Sequence, residues 1–307
     1  MKSGLFTLLL LVLLSATAQA QVPEPCKSTR QVCPMSKVKY CHESVAFDEE
    51  HNLYLLRKDY ATLYDGSCVS CFPSLTIEEK LNFVNGRRQG TDTSFYQSGC
   101  LQSIQSYQIG LQDGPTYVFY DSTNRVQYEI WYQAGQLNGP SIQYSRNARA
   151  DTLMYKHYKS GKLDGPQRTY LPNGKLRKIS NYREGLAEGA QITYNANTQK
   201  ESELFFKAGK KHGTWTYYFD SGQTARTETW KDGKKNGVFV SYNELGKVLS
   251  TEKYAMDLPI GLHQTFYADG KLNYSCSYSN KGEKLEEYVI DQYGVKKQLF
   301  PQTNESE

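Results

Sequence analysis

Hydrophobic residues are scarce in this chain, and this limits the kind of core it can build. They make up 38% of the 307 residues, and the mean hydropathy is −0.66. This content argues against a compact two-layer domain, although a chain of this length has room for a large core. Aromatic residues are the exception at 13%, with 25 tyrosines. Because tyrosine can be half-buried with its hydroxyl in water, the composition favours a single-layer sheet lined by rings.

Long apolar runs are missing from the sequence after residue 20. Before that point, Lys2, the apolar run 5–14 and the small residues 18–20 predict a secretory signal peptide over residues 1–20, cleaved after Ala20. We therefore expect a secreted or periplasmic protein with no transmembrane segment after signal cleavage.

Residues that commonly carry catalysis form no recognisable pattern. None of the five histidines lies in a Ser/His/Asp or metalloprotease arrangement, and no glycine-rich phosphate loop precedes a helix. The sequence therefore predicts no catalytic residues, no cofactor and no enzymatic activity. The net charge of +4 is modest for this length, so nucleic acid is not an expected partner.

A pair of glycines recurs along most of the chain at a nearly fixed interval. The two members are four residues apart, and successive pairs follow every 24 to 26 residues, which predicts an array of structural repeats. The pairs are Gly86/Gly90, Gly110/Gly114, Gly135/Gly139, Gly161/Gly165, Gly185/Gly189, Gly209/Gly213 and Gly233/Gly237, and Asp257/Gly261 continues the series.

Each unit reads as strand, turn, strand, turn. In the unit from Gly165 to Gly185, two alternating runs are separated by a turn at 171–174. The sequence predicts an all-β fold: an elongated, single-layer antiparallel β-meander of stacked hairpins of about 24 residues, with a cysteine-rich N-terminal cap. We assign residues 21–82 to the cap, 83–294 to an array of about eight or nine repeats, and 295–307 to a C-terminal tail.

Two positions of the unit are aromatic in all eight repeats, and we expect them to form two ladders of stacked rings across the strands. Five residues after the second glycine stand Phe95, Phe119, Tyr144, Tyr170, Tyr194, Tyr218, Tyr242 and Phe266. Three residues before the first glycine stand Phe83, Tyr107, Tyr132, Tyr158, Tyr182, Phe206, Trp230 and Tyr254. A third column, two residues after the second glycine, is occupied by Trp215, Phe239 and His263 in the last units.

The spacing of aromatic residues and glycines resembles the MORN repeat, and more closely the bacterial variant found in YwqK-type antitoxin-like proteins. Residues 158–165 and 206–213 carry the match, and the resemblance covers about residues 83–294. It implies an array that serves as a scaffold, a protein-binding ribbon or a lipid-surface binder. It carries over no catalytic motif.

Five of the seven cysteines lie in the front segment: Cys26, Cys33, Cys41, Cys68 and Cys71. In an exported protein we expect two disulfides among them, with the connectivity left open. Two alternatives are a metal site from Cys41, His42, Cys68 and Cys71, and a redox role for Cys68 and Cys71. Seven is odd, so at least one thiol stays unpaired within the chain. Cys100 and Cys276 lie seven units apart and are not expected to meet.

Two sets of residues are candidates for binding. A basic ridge is predicted along the glycine-pair turns of four consecutive units, formed by Lys159, Lys162, Arg183, Lys207, Lys210, Lys231 and Lys234, with Lys211 and Lys235 beside them. A column of exposed aromatics is predicted one residue beyond the first ring column, at Tyr96, Tyr120, Phe219 and Tyr267.

These observations favour a non-catalytic, exported repeat protein that binds a protein partner or acts as a scaffold in the cell envelope. One alternative is an antitoxin or immunity protein that neutralises a toxin. Another is a module for anionic envelope lipid or polysaccharide, which the basic ridge would attract.

Overall fold

The computed structural model describes residues 32–33, 39–146 and 152–301. The predicted signal peptide (1–20) and Cys26 lie outside the described residues. A short helix, α1 (Cys41–Ser44), precedes a two-stranded hairpin of β1 (Val45–Asp48) and β2 (Leu53–Leu56). Within the described residues, no helix is long and apolar enough to cross a membrane.

All other strands form one antiparallel sheet in which the long strands pair in chain order and each two-residue strand pairs only with the long strand before it. The strands are β3 (Gly66–Cys71), β4 (Ile77–Val84), β5 (Arg87–Arg88), β6 (Gly90–Phe95), β7 (Leu101–Gln108), β8 (Leu111–Phe119), β9 (Val126–Gln133), β10 (Gln136–Tyr144), β11 (Thr152–Lys159), β12 (Lys162–Leu163), β13 (Gly165–Tyr170), β14 (Leu176–Arg183), β15 (Leu186–Ala187), β16 (Gly189–Tyr194), β17 (Lys200–Lys207), β18 (Lys210–Lys211), β19 (Gly213–Tyr218), β20 (Thr224–Lys231), β21 (Lys234–Lys235), β22 (Gly237–Tyr242), β23 (Val248–Ala255), β24 (Leu258–Pro259), β25 (Gly261–Phe266), β26 (Leu272–Tyr278), β27 (Lys284–Ile290) and β28 (Lys296–Phe300). The predicted all-β hairpin meander is confirmed.

The first glycine of each pair is the second of the two central residues of a tight turn. At Glu184 and Gly185 the φ angles are 51° and 85°, and the same pattern of two positive values recurs in every unit of the array. Two left-handed residues in succession define the type I′ turn, whose twist matches that of the flanking strands. Glycine at the second position avoids the steric cost that an L side chain meets there.

Successive turns are joined by a backbone hydrogen bond from one unit to the next. The amide of Gly185 donates to the carbonyl of Leu163 at 2.7 Å, and the amide of Gly209 donates to that of Ala187 at 2.9 Å. Equivalent bonds link the other turns of the array, including Asp257, whose amide donates to the Lys235 carbonyl at 2.9 Å. The repeat period is therefore the distance along the chain between two bonded turns.

A polar side chain before the second glycine supports the same contact. Asp164 Oδ2 accepts from the amide of Glu184 at 3.1 Å, and Glu188 Oε2 accepts from the amide of Ala208 at 2.8 Å. The side chains that accept in this way, from the first unit to the last, are Asp65, Gln89, Asp113, Asn138, Asp164, Glu188 and Asn236. Each of these side chains satisfies an amide that the type I′ turn leaves without a strand partner.

The sheet extends beyond both ends assigned to the array. Gly66 stands 24 residues before Gly90, so β3 is a repeat strand inside the segment assigned to the cap. The sequence pattern does not reveal this repeat, because Thr62 replaces the first glycine and Cys71 replaces the aromatic residue five positions after the second glycine. At the other end, β28 lies within the segment assigned to the tail.

The cap covers the edge of β3 and is fastened by two disulfides. The amide of Val69 donates to the Lys39 carbonyl at 3.0 Å, and Tyr40 forms a parallel bridge with Val69. One disulfide joins Cys41 to Cys68, beside the buried side chains of Tyr64, Leu81 and Phe83. The pairing of cysteines near the N-terminus is confirmed.

The second disulfide joins Cys33 to Cys71, against Ile77 and Phe95. Cys68 and Cys71 therefore have different partners, and the sulfurs required by the metal and redox alternatives are in disulfide bonds. Cys100 is also disulfide-bonded, whereas Cys276 is a buried free thiol.

The type I′ turns predict opposite effects of two neighbouring substitutions. Ile109, with φ 50° and 60% of its surface exposed, is a β-branched residue in a left-handed conformation. Ile109→Asn should stabilise the protein by about 1 kcal/mol, because Asn tolerates this conformation better. Gly110→Ala should destabilise it by about 1 kcal/mol, since a Cβ there has room but φ is 80°. Denaturant midpoints measure both; equal signs would contradict the turn geometry.

The disulfides predict a local loss of stability when the Cys41–Cys68 bond is removed. The bond spans 27 residues, so the double variant Cys41→Ala/Cys68→Ala should destabilise the cap by roughly 3–4 kcal/mol. Hydrogen exchange should rise in residues 39–84 and stay unchanged in residues 152–301. Cys276→Ala serves as the control, because it removes a thiol that is in no disulfide. Faster exchange throughout the array would contradict a local role.

Candidate functional site

The two predicted ring columns lie on opposite faces of the sheet. Gly213 pairs directly with Trp230, so these two residues share a face. Tyr218 stands five residues after Gly213, and alternation places it on the other side. The contact of its hydroxyl with Glu203 Oε2 at 3.5 Å agrees, since Glu203 pairs with Thr216 on that side. We call the side with Trp215 and Trp230 the stacked face, and the other the opposite face.

Among the described residues, the longest series of touching rings on the stacked face lies in the last units. The ladder runs through Phe206, Trp215, Trp230, Phe239, Tyr254, His263 and Tyr278, with successive centroids 4.8–5.8 Å apart. Every second ring comes from the third column, two residues after the second glycine. Trp215 and Phe239 are buried, at 5% and 3% exposure.

The expectation of two ladders through the whole array is therefore wrong. Among the described residues, rings of the first column, from Phe95 to Phe266, stack on no other ring, and the second column stacks in series only in the last units. Equivalent rings in successive units are two strands apart, about 9.6 Å, whereas ring pairs interact at about 4.5–7 Å. A bridging ring is needed between them, and the third column supplies it only in the last units. In the earlier units this column holds Asp92, Thr116, Ser141, Gln167 and Gln191.

Two lysines cover the ladder from the side of the glycine turns. Lys211 Nζ lies 4.3 Å from the centre of the Trp215 ring and 4.1 Å from that of Trp230. Lys235 Nζ lies 5.3 Å from the Phe239 ring and 4.4 Å from that of Tyr254. These cation–π contacts place both lysines on the stacked face and separate them from the basic ridge.

Carboxylates complete the polar surroundings of the ladder. Trp230 Nε1 donates to Glu228 Oε2 at 2.9 Å, and the Tyr254 hydroxyl donates to Glu252 Oε2 at 2.9 Å. Burial, followed by this bond to Glu252, raises the pKa of Tyr254 to about 12. The hydroxyl therefore stays protonated and continues to donate across the physiological pH range.

An ion pair occupies the equivalent place near the start of the array. Arg88 stands in the column of Lys211 and lies 5.2 Å from the Tyr107 ring centre, and its Nη1 is 3.2 Å from Asp92 Oδ2. Burial raises the pKa of Asp92, although Arg88 and the Asn82 amide oppose this shift. The stacked face thus changes along the ribbon from a buried charge pair to a continuous run of rings.

The basic ridge lies at the turns and belongs to the opposite face. Lys207 pairs with Lys210 across one turn, and Lys231 pairs with Lys234 across the next. Lys159 and Lys162 repeat this arrangement, and Arg183 pairs with Leu186. All seven ridge side chains are exposed: Lys159, Lys162, Arg183, Lys207, Lys210, Lys231 and Lys234.

Positive charge is concentrated in the second half of the ridge. In the first half, Asp164, Glu184 and Glu188 stand among the cations, and Arg183 Nη1 is 3.9 Å from Glu188 Oε1. In the two turns at Gly209 and Gly233, six lysines accompany a single carboxylate, Asp232. Within the described part of the chain, none of Lys207, Lys210, Lys231 and Lys234 forms an ion pair. The two lysines of each cross-turn pair, Lys207 with Lys210 and Lys231 with Lys234, therefore repel each other.

Exposed apolar side chains adjoin these lysines on the opposite face. Phe205 is 43% exposed, Val238 45% and Leu262 56%. Leu186 and Leu258 stand at the ridge positions that are lysine in the turns between them, and both are about half exposed. The ridge and its apolar neighbours together form a mixed basic and apolar border, a composition suited to a docking surface.

The four aromatic residues that were predicted to form an exposed column are not fully exposed to solvent. Tyr96, Tyr120, Phe219 and Tyr267 are all half-buried. The hydroxyl of Tyr96 donates to the Phe119 carbonyl at 2.7 Å, that of Tyr120 to the Tyr144 carbonyl at 3.0 Å, and that of Tyr267 to the Ile290 carbonyl at 2.9 Å. These bonds join one hairpin end to the next, because each carbonyl ends a strand of the following hairpin.

The profile of the MORN repeat variant family matches residues 163–184, 211–232 and 259–280. In these three segments the chain therefore carries MORN repeats of the variant type. The matched segments are 48 residues apart, two structural units, and the units between them have the same turns and strand pairing. No curated protein matches the chain.

Two solved structures are similar over part of their length. One is the "Crystal Structure of TcdB2-TccC3-Cdc42", with 10% identity and a TM-score of 0.18, covering 82% of this chain and 15% of that chain. The other is a Photorhabdus luminescens Tc holotoxin pore carrying the TccC3 mutation D651A, with 12% identity, a TM-score of 0.17, and coverage of 78% and 13%. The chain thus spans about 15% of their length or less. At these TM-scores the matches support no inference about fold or function.

The ring ladder predicts a large cost for removing one of its buried rings. Trp215→Ala should destabilise the protein by about 3–5 kcal/mol, because its neighbours Phe206 and Trp230 lose their shared contact. Thr116→Val is the matched control in the same column, since the buried Thr116 hydroxyl has no hydrogen-bond partner. Thermal unfolding should show a loss for Trp215→Ala and none for Thr116→Val. Equal losses would mean that the position matters rather than the ring.

Proposed function

We propose that this protein is an exported, non-catalytic binding ribbon whose basic ridge docks onto an acidic surface of a protein partner in the cell envelope. The supporting observation is the unneutralised charge at the turns of Gly209 and Gly233. There, Lys207 opposes Lys210 and Lys231 opposes Lys234, and directly opposed like charges in a sheet oppose folding. A partner that supplies carboxylates would turn this unfavourable arrangement into binding free energy.

A protein partner fits the surroundings of the ridge better than a small ion does. Phe205, Val238 and Leu262 stand exposed beside the lysines, so the border offers apolar contact as well as charge. Protein interfaces combine an apolar centre with a polar rim. The sheet also repeats this combination at intervals of about 9.6 Å, which suits an extended partner surface.

Export is supported by the disulfides at the front of the chain. Two of them lie within residues 33–71, and structural disulfides persist in oxidising compartments. The leader-like sequence of residues 1–20, with cleavage after Ala20, agrees with a secreted or periplasmic location. The proposal that no reaction is catalysed rests on the sequence, which contains no arrangement of nucleophile, base and acid.

A second candidate function is binding to the surface of an anionic membrane. Met256 and Leu258 are 44% and 50% exposed at the turn that follows the most basic part of the ridge. Basic residues beside exposed apolar ones are also the composition that binds anionic lipid. Capture of an anionic envelope polysaccharide would be a form of binding to an anionic surface. Neutralisation of a toxin would be a form of binding to a protein, and it would follow from the resemblance to YwqK-type proteins.

The basic ridge predicts that binding and stability change in opposite directions when its charge is removed. The variant with Lys207, Lys210, Lys231 and Lys234 all changed to Gln should unfold at a higher denaturant midpoint, because two repelling pairs are gone. It should also retain less partner from envelope extracts. Retention by the unmodified protein should fall between 0.1 and 1 M salt, since the screening length shrinks from about 10 to about 3 Å.

The matched control replaces four exposed lysines away from the ridge, Lys58, Lys247, Lys281 and Lys297, with Gln. It has the same net charge and should keep both binding and its denaturant midpoint. Partner retention that is equal in the two variants would contradict docking through the ridge. Binding to vesicles containing phosphatidylglycerol, but not to neutral vesicles, together with no retained protein, would favour the membrane instead.

A further inference from the structure

Prolines alternate with rings along one row of the opposite face, between the cap and the most basic part of the ridge. We call this row the proline–ring strip, and its members are Pro115, Trp131, Pro140, His157 and Pro166. Pro115 pairs directly with Trp131, and Pro140 pairs with His157, so these side chains share a face. All members are partly exposed, and the strip crosses the sheet over about 19 Å.

Trp131 is the tryptophan that lies outside the ring ladder. Lys211 Nζ covers both Trp215 and Trp230, which also stack on each other. Among the described residues, no ring stacks on Trp131 and no cation lies over it. Its partly exposed indole therefore offers a π-face, which carries partial negative charge, to an occupant from outside the sheet.

The indole of Trp131 is held in one position before anything binds. Its Nε1 donates to Glu129 Oε1 at 2.9 Å, and the Tyr144 hydroxyl donates to Glu129 Oε2 at 2.8 Å. Because Glu129 stands two residues back on the same strand, the indole lies along β9. At its base, a Cβ on Gly139 would come within 3.1 Å of Trp131 Cβ, so the glycine lets the side chain approach the next strand. A ring fixed in this way loses little freedom on binding.

His157 repeats this arrangement in the next unit. A Cβ on Gly165 would lie 3.6 Å from His157 Cβ, and His157 Nδ1 donates to the Asp164 carbonyl at 2.8 Å. Since a carbonyl only accepts, Nε2 of the neutral ring can accept a hydrogen bond from a hydroxyl group. The rings of Trp131 and His157 are two strands apart, about 9.6 Å, which is close to the length of a disaccharide.

The border beside Trp131 is neutral. At the turn of Gly135, the ridge positions are Gln133 and Gln136, which pair across the turn and are exposed. Both oxygens of the nearby Glu129 carboxylate already accept hydrogen bonds. Amide side chains donate and accept, as hydroxyl groups do. Charge complementarity therefore favours an uncharged occupant that carries many hydroxyl groups.

We infer that the proline–ring strip binds a neutral oligosaccharide, a chain of pyranose units that runs across the strands. One unit packs its C–H face on Trp131 and another packs on His157, because C–H hydrogens with partial positive charge are attracted to a π-face. The amides of Gln133 and Gln136 contact the sugar hydroxyls. A proline-rich peptide fits less well, since its carbonyls need donors and the indole N–H is already bonded to Glu129.

Calorimetric titration of the full chain tests this inference, with maltohexaose, cellohexaose and N-acetylated chitohexaose as the probes. At least one should bind saturably, with an affinity that changes less than about twofold between about 0.1 and 1 M salt, because no charge is screened. Trp131→Ala should weaken binding by at least about tenfold, as expected for an aromatic anchor, and Trp131→Phe should retain most of it. Gln133→Ala/Gln136→Ala should weaken it about threefold or more.

The matched control is Phe205→Ala, which removes an exposed ring from the same column beyond the strip. Phe205 precedes Gly213 by the interval that separates Trp131 from Gly139, and its loss should leave sugar binding unchanged. Denaturant midpoints establish that all variants fold.

An equal loss of sugar binding in Phe205→Ala would overturn the inference, and so would binding that disappears at high salt. Saturable binding of a proline decamer instead of the sugars, with the same dependence on Trp131, would assign the strip to a peptide. No binding of any of the three sugars would also overturn the inference. None of these outcomes depends on whether the ridge binds a protein.

Discussion

The fold depends on the hydrogen bond that joins one type I′ turn to the turn of the preceding unit. Each bond runs from the amide of a residue with positive φ, such as Gly185 or Gly209, to a carbonyl one unit back. It sets the period of the array, because a unit of another length would move its turn out of reach. Rings and charged side chains then fall into columns, and the columns determine what each face can do.

The two faces meet different physical demands in a single-layer sheet. On the stacked face, Trp215 and Phe239 are buried by neighbouring rings and covered by the ammonium groups of Lys211 and Lys235, so side chains of the same layer replace a second layer. Lysine can do this because its ammonium group is attracted to the face of an aromatic ring. On the opposite face, Lys207, Lys210, Lys231 and Lys234 stand at the turns, where within the described residues they form no ion pair and no cation–π contact. Position within a unit therefore separates structural lysines from those available for binding.

Much of the fold could be predicted from the sequence, because glycine has a specific conformational role. The pairs located every turn, and strand alternation gave the meander. The faces were missed although alternation determines them: five residues separate Gly213 from Tyr218, an odd number, so these residues point to opposite sides. The side chains that accept hydrogen bonds from the turn amides could also be predicted, since an acidic or amide residue precedes the second glycine in most units, as in Asp164 and Glu188.

Other features depend on contacts that no periodic pattern contains. The cap has no repeat, so the pairing of Cys33 with Cys71 follows from tertiary structure alone. The candidate ridge residues stand at the turns, and only their ring contacts separate Lys211 and Lys235 from this set. The aromatic column of Tyr96 and Tyr120 could not be placed correctly from the sequence. Strand alternation predicts the face on which a side chain lies, but it does not predict that a backbone carbonyl lies within reach of the hydroxyl.

The cap also determines how the ribbon ends. Residues 39–40 occupy the outer hydrogen-bonding positions of β3 at Val69, and the disulfide at Cys41 and Cys68 keeps them there. A sheet edge without such cover is a template for another strand. Reduction of the cap would therefore do more than loosen one segment. It would release residues 39–40 from the edge of β3 and leave the backbone of Val69 open to pairing with another strand.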